Sequence, residues 1–398
     1  RAKTAQEPTW LHFGAGNIFR AFPAAVLNEV LNRGAYDRGV IVAESFDYEI
    51  IDKAYAPYEN LSLLVSLKST GDIEKKVIGS VTECLKADYQ FEGDWARLAE
   101  IFRKPSLQVV SFTITEKGYG VNPADLERGM KPVLAMGKIA VLLYERFQAG
   151  KLPLTLQSMD NCSHNGDKVK AGVLAYVNKW VADGLVPAEF LAYVQDESKV
   201  TFPWAMIDKI TPRPHELVQS LLAADGFEDN YTIQTERHSF TAPFINAEET
   251  EYLVIEDNYT NGRPPLDLGG VMYTTRETVD KVETMKVTTC LNPLHTAMSI
   301  YGCMLGYDLI SAEMKDEDIR SFIQKIGYIE AMPVVTDPGV LNPYEFIGAV
   351  LNRRLPNPFM PDAPQRIAMD TSQKLAIRFG ETLKKYDERG LDKDNLVL

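Results

Sequence analysis

The sequence predicts an α/β fold: a parallel sheet flanked by helices, followed by a mostly α-helical C-terminal domain. Three observations carry this prediction. Short apolar runs such as "GVIVA", "LQVVSFTIT" and "LPLTLQS" alternate with helical stretches such as "KPVLAMGKIAVLLYERFQAG", the pattern of buried parallel strands and crossover helices. Near residue 14 a strand, a glycine turn, a helix and a second strand follow in order. After about Thr275 almost every segment reads as helix. At 398 residues the chain exceeds one ordinary core, so two domains are expected. The change of pattern places them at 1–275 and 276–398.

The elements follow in order. "TWLHFG" is a strand, "AGN" turns the chain, and "IFRAFPAAVLNEVLNRG" sets Phe22, Val26, Leu27, Val30 and Leu31 at helical spacing, with Gly34 as its C-terminal cap. "GVIVA" then ends in Glu44. A strand, a glycine turn, a helix and a strand ending in an acid make a Rossmann-type dinucleotide-binding unit. Gly14 permits the tight turn, Gly16 lets the backbone approach a pyrophosphate, and the helix amides beyond supply the anion site. Phe19 stands where the usual fingerprint has its third glycine. A carboxylate at Glu44 accepts ribose hydroxyls and repels a 2′-phosphate, which predicts NAD rather than NADP.

A further strand, expected to end at Thr115, opens into "TEKGYG", and strand ends of this kind are where ligands collect. Another strand opens into "QSMDNCSHNGD" (157–167). Its Asn161, His164 and Asn165 suit a polyhydroxy ligand, and they equally suit turns and helix caps. From about 185 to 275 the pattern loosens into loops and added strands. Helices are expected over the 280s to 305, 313–328, 341–353 and 364–385, with Pro-rich "RRLPNPFMPDAP" interrupting them.

Composition bounds the function. There are 42 basic and 55 acidic residues, a net charge of −13, without a basic block, which argues against nucleic acid. No apolar run approaches the roughly 20 residues that span a bilayer. Cys84, Cys162, Cys290 and Cys303 lie far apart without a C-x-x-C pair, which predicts reduced thiols in a cytoplasmic protein. His12, His164, His215, His238 and His295 show no metal-binding spacing, so no metal site is expected. The opening "RAKTAQEPTW" lacks Met and reads as a trimmed start without the apolar core of a signal peptide. A monomer or small homo-oligomer acting on a small molecule is the expectation.

The stretch "MKVTTCLNPLHTAMSIYG" (285–302) holds Lys286, Asn292 and His295 close together in an otherwise apolar helical run. Locally it reads as a Glu283–Lys286 helix pair, an N-capping Asn292 with Pro293 at the first helical position, and Leu294, Met298 and Leu305 in the core.

Several segments together resemble the mannitol dehydrogenase family of long-chain polyol and uronate dehydrogenases. "FGAGNIFRAF" is similar to its cofactor turn, "TITEKGY" to its Thr-Glu-x-Gly-Tyr segment, and "MDNCSHNG" to its Asp-Asn-x-x-x-Asn-Gly segment. "VTFPWAMIDKITP" resembles its Phe-Pro…Val-Asp-Arg-Ile-x-Pro signature, with Ile207 for Val and Lys209 for Arg. "MKVTTCLNPLH" resembles its Lys…Asn-x-x-His helix, and "PDAPQRIAMDTSQK" its Arg-Ile-Ala-x-Asp-x-Ser segment. The matches run in order from about residue 10 to 375.

The resemblance implies a Rossmann-type NAD domain and a helical domain that together perform metal-independent hydride transfer. It places the cofactor against Gly14, Gly16, Asn17, Ile18, Glu44, Thr115 and Glu116. Lys286 becomes the acid/base, Asn161 and Asn292 hold the substrate oxygen, and His295 binds neighbouring hydroxyls. Asp208, Lys209, Arg366 and Glu283 fall at substrate-proximal positions, and Lys209 or Arg366 suits a uronate carboxylate. An ordinary lysine is protonated at neutral pH, so the role calls for burial and a neighbouring positive ring. The implied reaction interconverts a secondary alcohol and a ketone of an acyclic polyol or aldonate, with D-mannonate/D-fructuronate favoured and mannitol/fructose or another polyol second. A nucleotide- or sugar-binding protein without turnover is the alternative of another class.

One departure is visible. The family pattern has four residues between the Lys and the Asn, whereas Val287 through Leu291 are five. At about 100° per residue, one extra residue swings Lys286 off the Asn292–His295 face. A π-bulge, or a helix break before Asn292–Pro293, restores the phase.

Overall fold

A computed structural model of the chain describes residues 1–394, 396 and 397. It divides into two compact units. The first comprises residues 1–65, 75–247 and 251–276, and the second 66–74, 248–250 and 277–398.

The first unit is built on a six-stranded sheet of β1 (Trp10–Phe13), β2 (Val40–Glu44), β5 (Val81–Lys86), β6 (Val109–Phe112), β7 (Leu154–Ser158) and β8 (Val200–Thr201). Its spatial order is β5–β2–β1–β6–β7–β8, and every neighbouring pair is parallel. The order reverses between β1 and β6, the switch point where such sheets bind ligands beyond the strand ends. Parallel strands are covered on both faces, and β1, β2, β6 and β7 are accordingly buried along their whole length. Two apolar clusters fill the faces. One is built around Phe13, Phe112, Leu143 and Trp180, the other around Trp10, Phe19, Val42 and Ile255.

The crossover from β2 to β5 carries a π-helical turn, Ile51–Tyr55, and two strands, β3 (Ser62–Leu67) and β4 (Ile73–Ile78). Four additions follow β8: β9 (Ala205–Asp208), the short hairpin of β10 (Ile233–Gln234) and β11 (Phe240–Thr241), β12 (Phe244–Glu248), and β13 (Tyr252–Glu256) with β14 (Met272–Thr274). They form small sheets ordered β12–β3–β4, β10–β11 and β14–β13–β9.

Two local expectations are corrected. The single helix expected from Ile18 to its cap at Gly34 is two helices, Asn17–Ala21 and Pro23–Asn32, broken at Phe22 (φ −129°, ψ −76°). Pro23 forces the break, because the residue before a proline is pushed out of the α region. The strand expected to reach Thr115 ends at Phe112.

The second unit is helical. Helices Arg276–Met285, Asn292–Leu305, Glu317–Gln324, Pro343–Ala349 and Glu381–Glu388 are interspersed with π-helical stretches at Lys286–Cys290, Lys325–Ala331, Val350–Arg354 and Ala376–Gly380. The buried Arg354 guanidinium grips Glu248 through two bonds, of 2.9 and 2.7 Å. Leu294 and Met298 are fully buried, but Leu305 is 62% exposed and is no core residue. Among the described residues no helix is long and apolar enough to cross a membrane.

Candidate active site

The glycine turn is fixed by sterics. Gly14 sits at φ +109°, and a Cβ there would lie 2.2 Å from the Thr113 carbonyl oxygen, so only glycine fits between β1 and β6. A Cβ on Gly16 would meet nothing within 4 Å, leaving the open space over the backbone that a diphosphate needs. Asn17 and Ile18 are half-buried at the rim. Phe19 replaces the third glycine by turning inward, where its ring stacks on His12 with centroids 4.0 Å apart. Burial pushes the His12 imidazole down to about 3, so it is neutral, and its nitrogens bond Ser111 Oγ (2.6 Å) and Thr113 Oγ1 (2.9 Å).

Glu44 is not open to solvent. Its Oε2 accepts from Ala15 N (2.8 Å) in the glycine turn, and its Oε1 from Phe46 N (2.8 Å) and Asp47 N (3.2 Å). Burial raises its carboxyl above the ordinary range, and these amides oppose the rise. Glu44 thus ties the loop after β2 to the turn after β1. Arg20, to which sequence reasoning assigned no role, does similar work. Fully buried, it donates to Asn17 Oδ1 (2.8 Å), Thr241 Oγ1 (2.7 Å) and the Ala242 carbonyl (2.9 Å).

Across the switch point, Thr115 is exposed and lies at φ +64°, ψ +160°, a backbone region that costs a non-glycine residue roughly 1–3 kcal/mol. Asp160, at the exit of β7, holds it there. The carboxylate accepts from Ile114 N (2.9 Å), Thr115 N (3.1 Å) and Tyr119 Oη (2.6 Å). Sequence reasoning missed Asp160 because its three partners lie more than 40 residues away in the chain; its signal was an Asp directly after a buried strand. Glu116 is exposed and pairs with Lys168 at 2.9 Å. Asn161 is exposed on the loop after β7. His164 stacks on Trp204 with centroids 4.1 Å apart. Asn165 is buried and bonded to the Asp160 and Ala205 carbonyls and to Ala205 N, so it is a framework residue.

In the helical unit, Lys286 is 4% exposed and opens the π-helix Lys286–Cys290. The wide turn closes with Leu291 N on the Lys286 carbonyl at 3.2 Å, and Thr382 Oγ1 satisfies the Thr288 carbonyl at 3.2 Å. Leu291 then leaves the helical region (φ −133°, ψ −64°), and a new helix starts at Asn292 with Pro293 second. Both means of absorbing the extra residue are therefore present. The capping expectation for Asn292 is corrected: Leu291 occupies the cap position, and Asn292 is the first residue of the helix. One turn on, the His295 side chain keeps 20% of its exposure, while its Nε2 is covered and has no hydrogen-bond partner. Asp362 Oδ2 lies 4.0 Å away. Burial pushes the imidazole down to about 4, against the pull of Asp362 and with added push from Arg354, Arg378 and Arg366.

The remaining candidates differ in accessibility. Asp208 is buried at the end of β9. Lys209 keeps 3% of its side-chain exposure and pairs with Glu251 at 2.6 Å. Arg366 is 69% exposed and bonds Asp362 at 2.7 Å, beside His295. Glu283 is half-buried in the helix preceding Lys286.

The parallel sheet with a glycine turn at its switch point defines a dinucleotide-binding fold. The chain belongs to the mannitol dehydrogenase family: residues 8–268 match the family's Rossmann domain and residues 278–398 its C-terminal domain. It is an oxidoreductase of that family. It is similar to the D-mannonate oxidoreductase of Thermotoga maritima, at 51% identity covering 99% of this chain and 75% of the relative. Among solved structures it resembles a substrate-free D-sorbitol dehydrogenase (TM-score 0.83, 26% identity, 97% of this chain and 77% of that one). It also resembles Pseudomonas fluorescens mannitol 2-dehydrogenase in a ternary complex with NAD and D-mannitol (TM-score 0.74, 25% identity, 96% and 76%).

Proposed function

We propose that the protein is an NAD-dependent dehydrogenase interconverting the secondary alcohol of an aldonate and the corresponding ketone, with D-mannonate and D-fructuronate the favoured pair. The observation that carries this reading is the similarity, at 51% identity over nearly the whole chain, to a D-mannonate oxidoreductase. The residues of the first unit suit the cofactor: Gly14 shapes the turn, the space over Gly16 admits a diphosphate, and Asn17, Ile18, Thr115 and Glu116 rim it. When bound, the nicotinamide supplies the hydride acceptor.

In the oxidative direction Lys286 takes the hydroxyl proton while hydride leaves the same carbinol carbon, and in reduction its ammonium returns that proton. The π-turn supports this assignment, because a turn one residue wider offsets the one-residue excess between Lys286 and Asn292. The amides of Asn292 and Asn161 are assigned to the oxygen where negative charge develops. His295, neutral and with an unpartnered Nε2, is assigned to a neighbouring hydroxyl. Of the two cations considered for a uronate carboxylate, exposed Arg366 suits it better than buried, paired Lys209. Asp208 and Glu283 are assigned supporting places around the substrate.

The second reading, a polyol such as mannitol, is favoured by the likeness to mannitol 2-dehydrogenase. NADH oxidation with D-fructuronate, D-fructose and a panel of other ketoses and keto-uronates separates the two, beside a Lys286→Ala control. A general base contributes about 10²–10⁴-fold, so the variant should lose turnover on that scale while still binding NADH. Retention of most turnover sinks the Lys286 assignment. NADH binding without turnover on any member of the panel replaces the enzyme reading with that of a binding protein.

A further inference from the structure

The β10–β11 hairpin stands apart from the parallel sheet, yet it is held firmly against the crevice. Thr235 Oγ1 donates to Asp47 Oδ2 (2.6 Å) and Glu236 N to Glu49 Oε1 (3.2 Å), both acceptors lying just after β2. Arg20, from the helix that follows the glycine turn, binds Thr241 Oγ1 and the Ala242 carbonyl at its far end. The tip is closed by His238 N on the Thr235 carbonyl (3.0 Å) and Ser239 N on Thr235 Oγ1 (3.0 Å), with His238 at φ +59°. This tip carries Arg237, whose guanidinium carbon sits 4.6 Å from the centroid of the Phe46 ring. Phe46, two residues beyond Glu44, is 60% exposed.

The end of the second strand of such a unit faces the adenosine ribose, where an acid reads the 2′-hydroxyl or an Arg takes a 2′-phosphate. Here the acid is largely occupied. A carboxylate offers about four acceptor positions, and three of those of Glu44 are used by backbone amides. The residue is also only 6% exposed, so the carboxylate serves the loop. Arg237, by contrast, makes no ion pair among the described residues. A guanidinium stacked on a ring keeps its N–H edge available for bidentate phosphate binding. Ser45, between Glu44 and Phe46, adds a hydroxyl donor on the same loop.

We propose that Arg237 is a specificity-determining residue for the cofactor: held on Phe46 at the end of β2, it takes a 2′-phosphate on the adenosine ribose, so that the protein binds NADP as well as NAD. This rests on the reading that the dinucleotide lies over the Gly14–Gly16 turn. The inference reverses the exclusion expected of Glu44, because the carboxylate is turned into the loop while the Arg237 guanidinium lies on the exposed Phe46 ring two residues beyond it.

Isothermal titration of the full chain with NADH, NADPH, 5′-AMP and 2′-AMP tests it. Wild type should bind NADPH within about tenfold of NADH, and Arg237→Ala should lower the NADPH-to-NADH affinity ratio by about 10- to 100-fold, the range of a charge-assisted bidentate contact. The 2′-AMP affinity should fall in the same variant and weaken more steeply with salt than that of 5′-AMP. An unchanged ratio in Arg237→Ala, or NADPH binding more than about 100-fold weaker than NADH in wild type, overturns the proposal while leaving the dinucleotide reading intact. Failure of every one of the four ligands to bind overturns both. Arg237 is exposed, and an unchanged thermal midpoint confirms that the variant folds.

Discussion

Glu313 is a buried carboxyl without a partner in the helical unit, and replacing it should stabilise that unit in a pH-dependent way. The residue is fully buried, neither carboxylate oxygen has a hydrogen-bond partner, and it lies against Gly302, where a Cβ would stand 2.0 Å from Oε1. Burial pushes the carboxyl from its ordinary 4.5 up to about 7. The unfolded chain therefore releases its proton first, so stability present below pH 4.5 is lost as the pH rises to 7. At 1.36 kcal/mol for each pH unit between the two values, the loss is about 3 kcal/mol above pH 7. Glu313→Gln removes the titration and leaves a constant offset for an unpartnered amide. The stability difference between variant and wild type should thus grow by about 3 kcal/mol between pH 4.5 and pH 8. All four tryptophans, at 10, 95, 180 and 204, lie in the first unit, so fluorescence misses the effect. Native-state hydrogen exchange of the Asn292–Leu305 amides reads it. A difference that stays flat across that range refutes the burial argument.

Gly14→Ala should abolish NADH binding and destabilise the first unit by at least about 1–2 kcal/mol, from the positive φ alone, with the Thr113 clash added; titration calorimetry and urea midpoints read the two effects. Asp160→Ala removes the acceptor of the Ile114 and Thr115 amides and leaves Tyr119 Oη only Ser158 Oγ, so a loss of about 1–3 kcal/mol is expected in urea, followed by tryptophan fluorescence, together with weaker NADH binding as Thr115 relaxes. For His295, folding lowers the imidazole from 6.5 to about 4. Its contribution to stability is therefore present above pH 6.5 and lost as the pH falls toward 4, and His295→Gln should flatten that part of the exchange profile. The same value moves the acidic limb of turnover away from the ordinary histidine range, and a step near pH 6.5 that disappears in His295→Gln contradicts it.

The parts of the fold readable from sequence were those set by local periodicity. The apolar run "GVIVA" could only be a strand, and Gly14 and Gly34, both at positive φ, could be placed from the turns they terminate. What escaped was set by contacts across the chain. Phe19 looked like a defect in a glycine fingerprint until His12 appeared beneath it. Nothing in the sequence says that Ala15 N would also claim the Oε2 of Glu44. Asp160 and Arg20 act on partners 45 and 221 residues away, a distance no spacing rule reaches. Asn292 resembled a cap because Asn-Pro often starts helices, but the π-turn before it moved the helix start by one residue.

That π-turn is not isolated. Among the described residues the helical unit contains four π stretches, and those at Lys325–Ala331 and Ala376–Gly380 both pack against Lys286–Cys290. A π-turn is an uncommon conformation, and an uncommon backbone conformation persists where its surroundings over-determine it. The bonding here shows how. Thr382 supplies a donor to the Thr288 carbonyl, and Thr288 Oγ1 bonds back to the Thr284 carbonyl at 2.7 Å. Cys290 is fully buried below. The site of Lys286 is therefore fixed by neighbouring helices that each carry the same irregularity, so a one-residue change there alters the packing of three segments at once. A regular helix could carry a lysine at this point more cheaply. Its replacement by a supported wide turn, ending at a helix break at Leu291 just before the helix that starts at Asn292, argues that the placement of this amine is what the irregular turn secures.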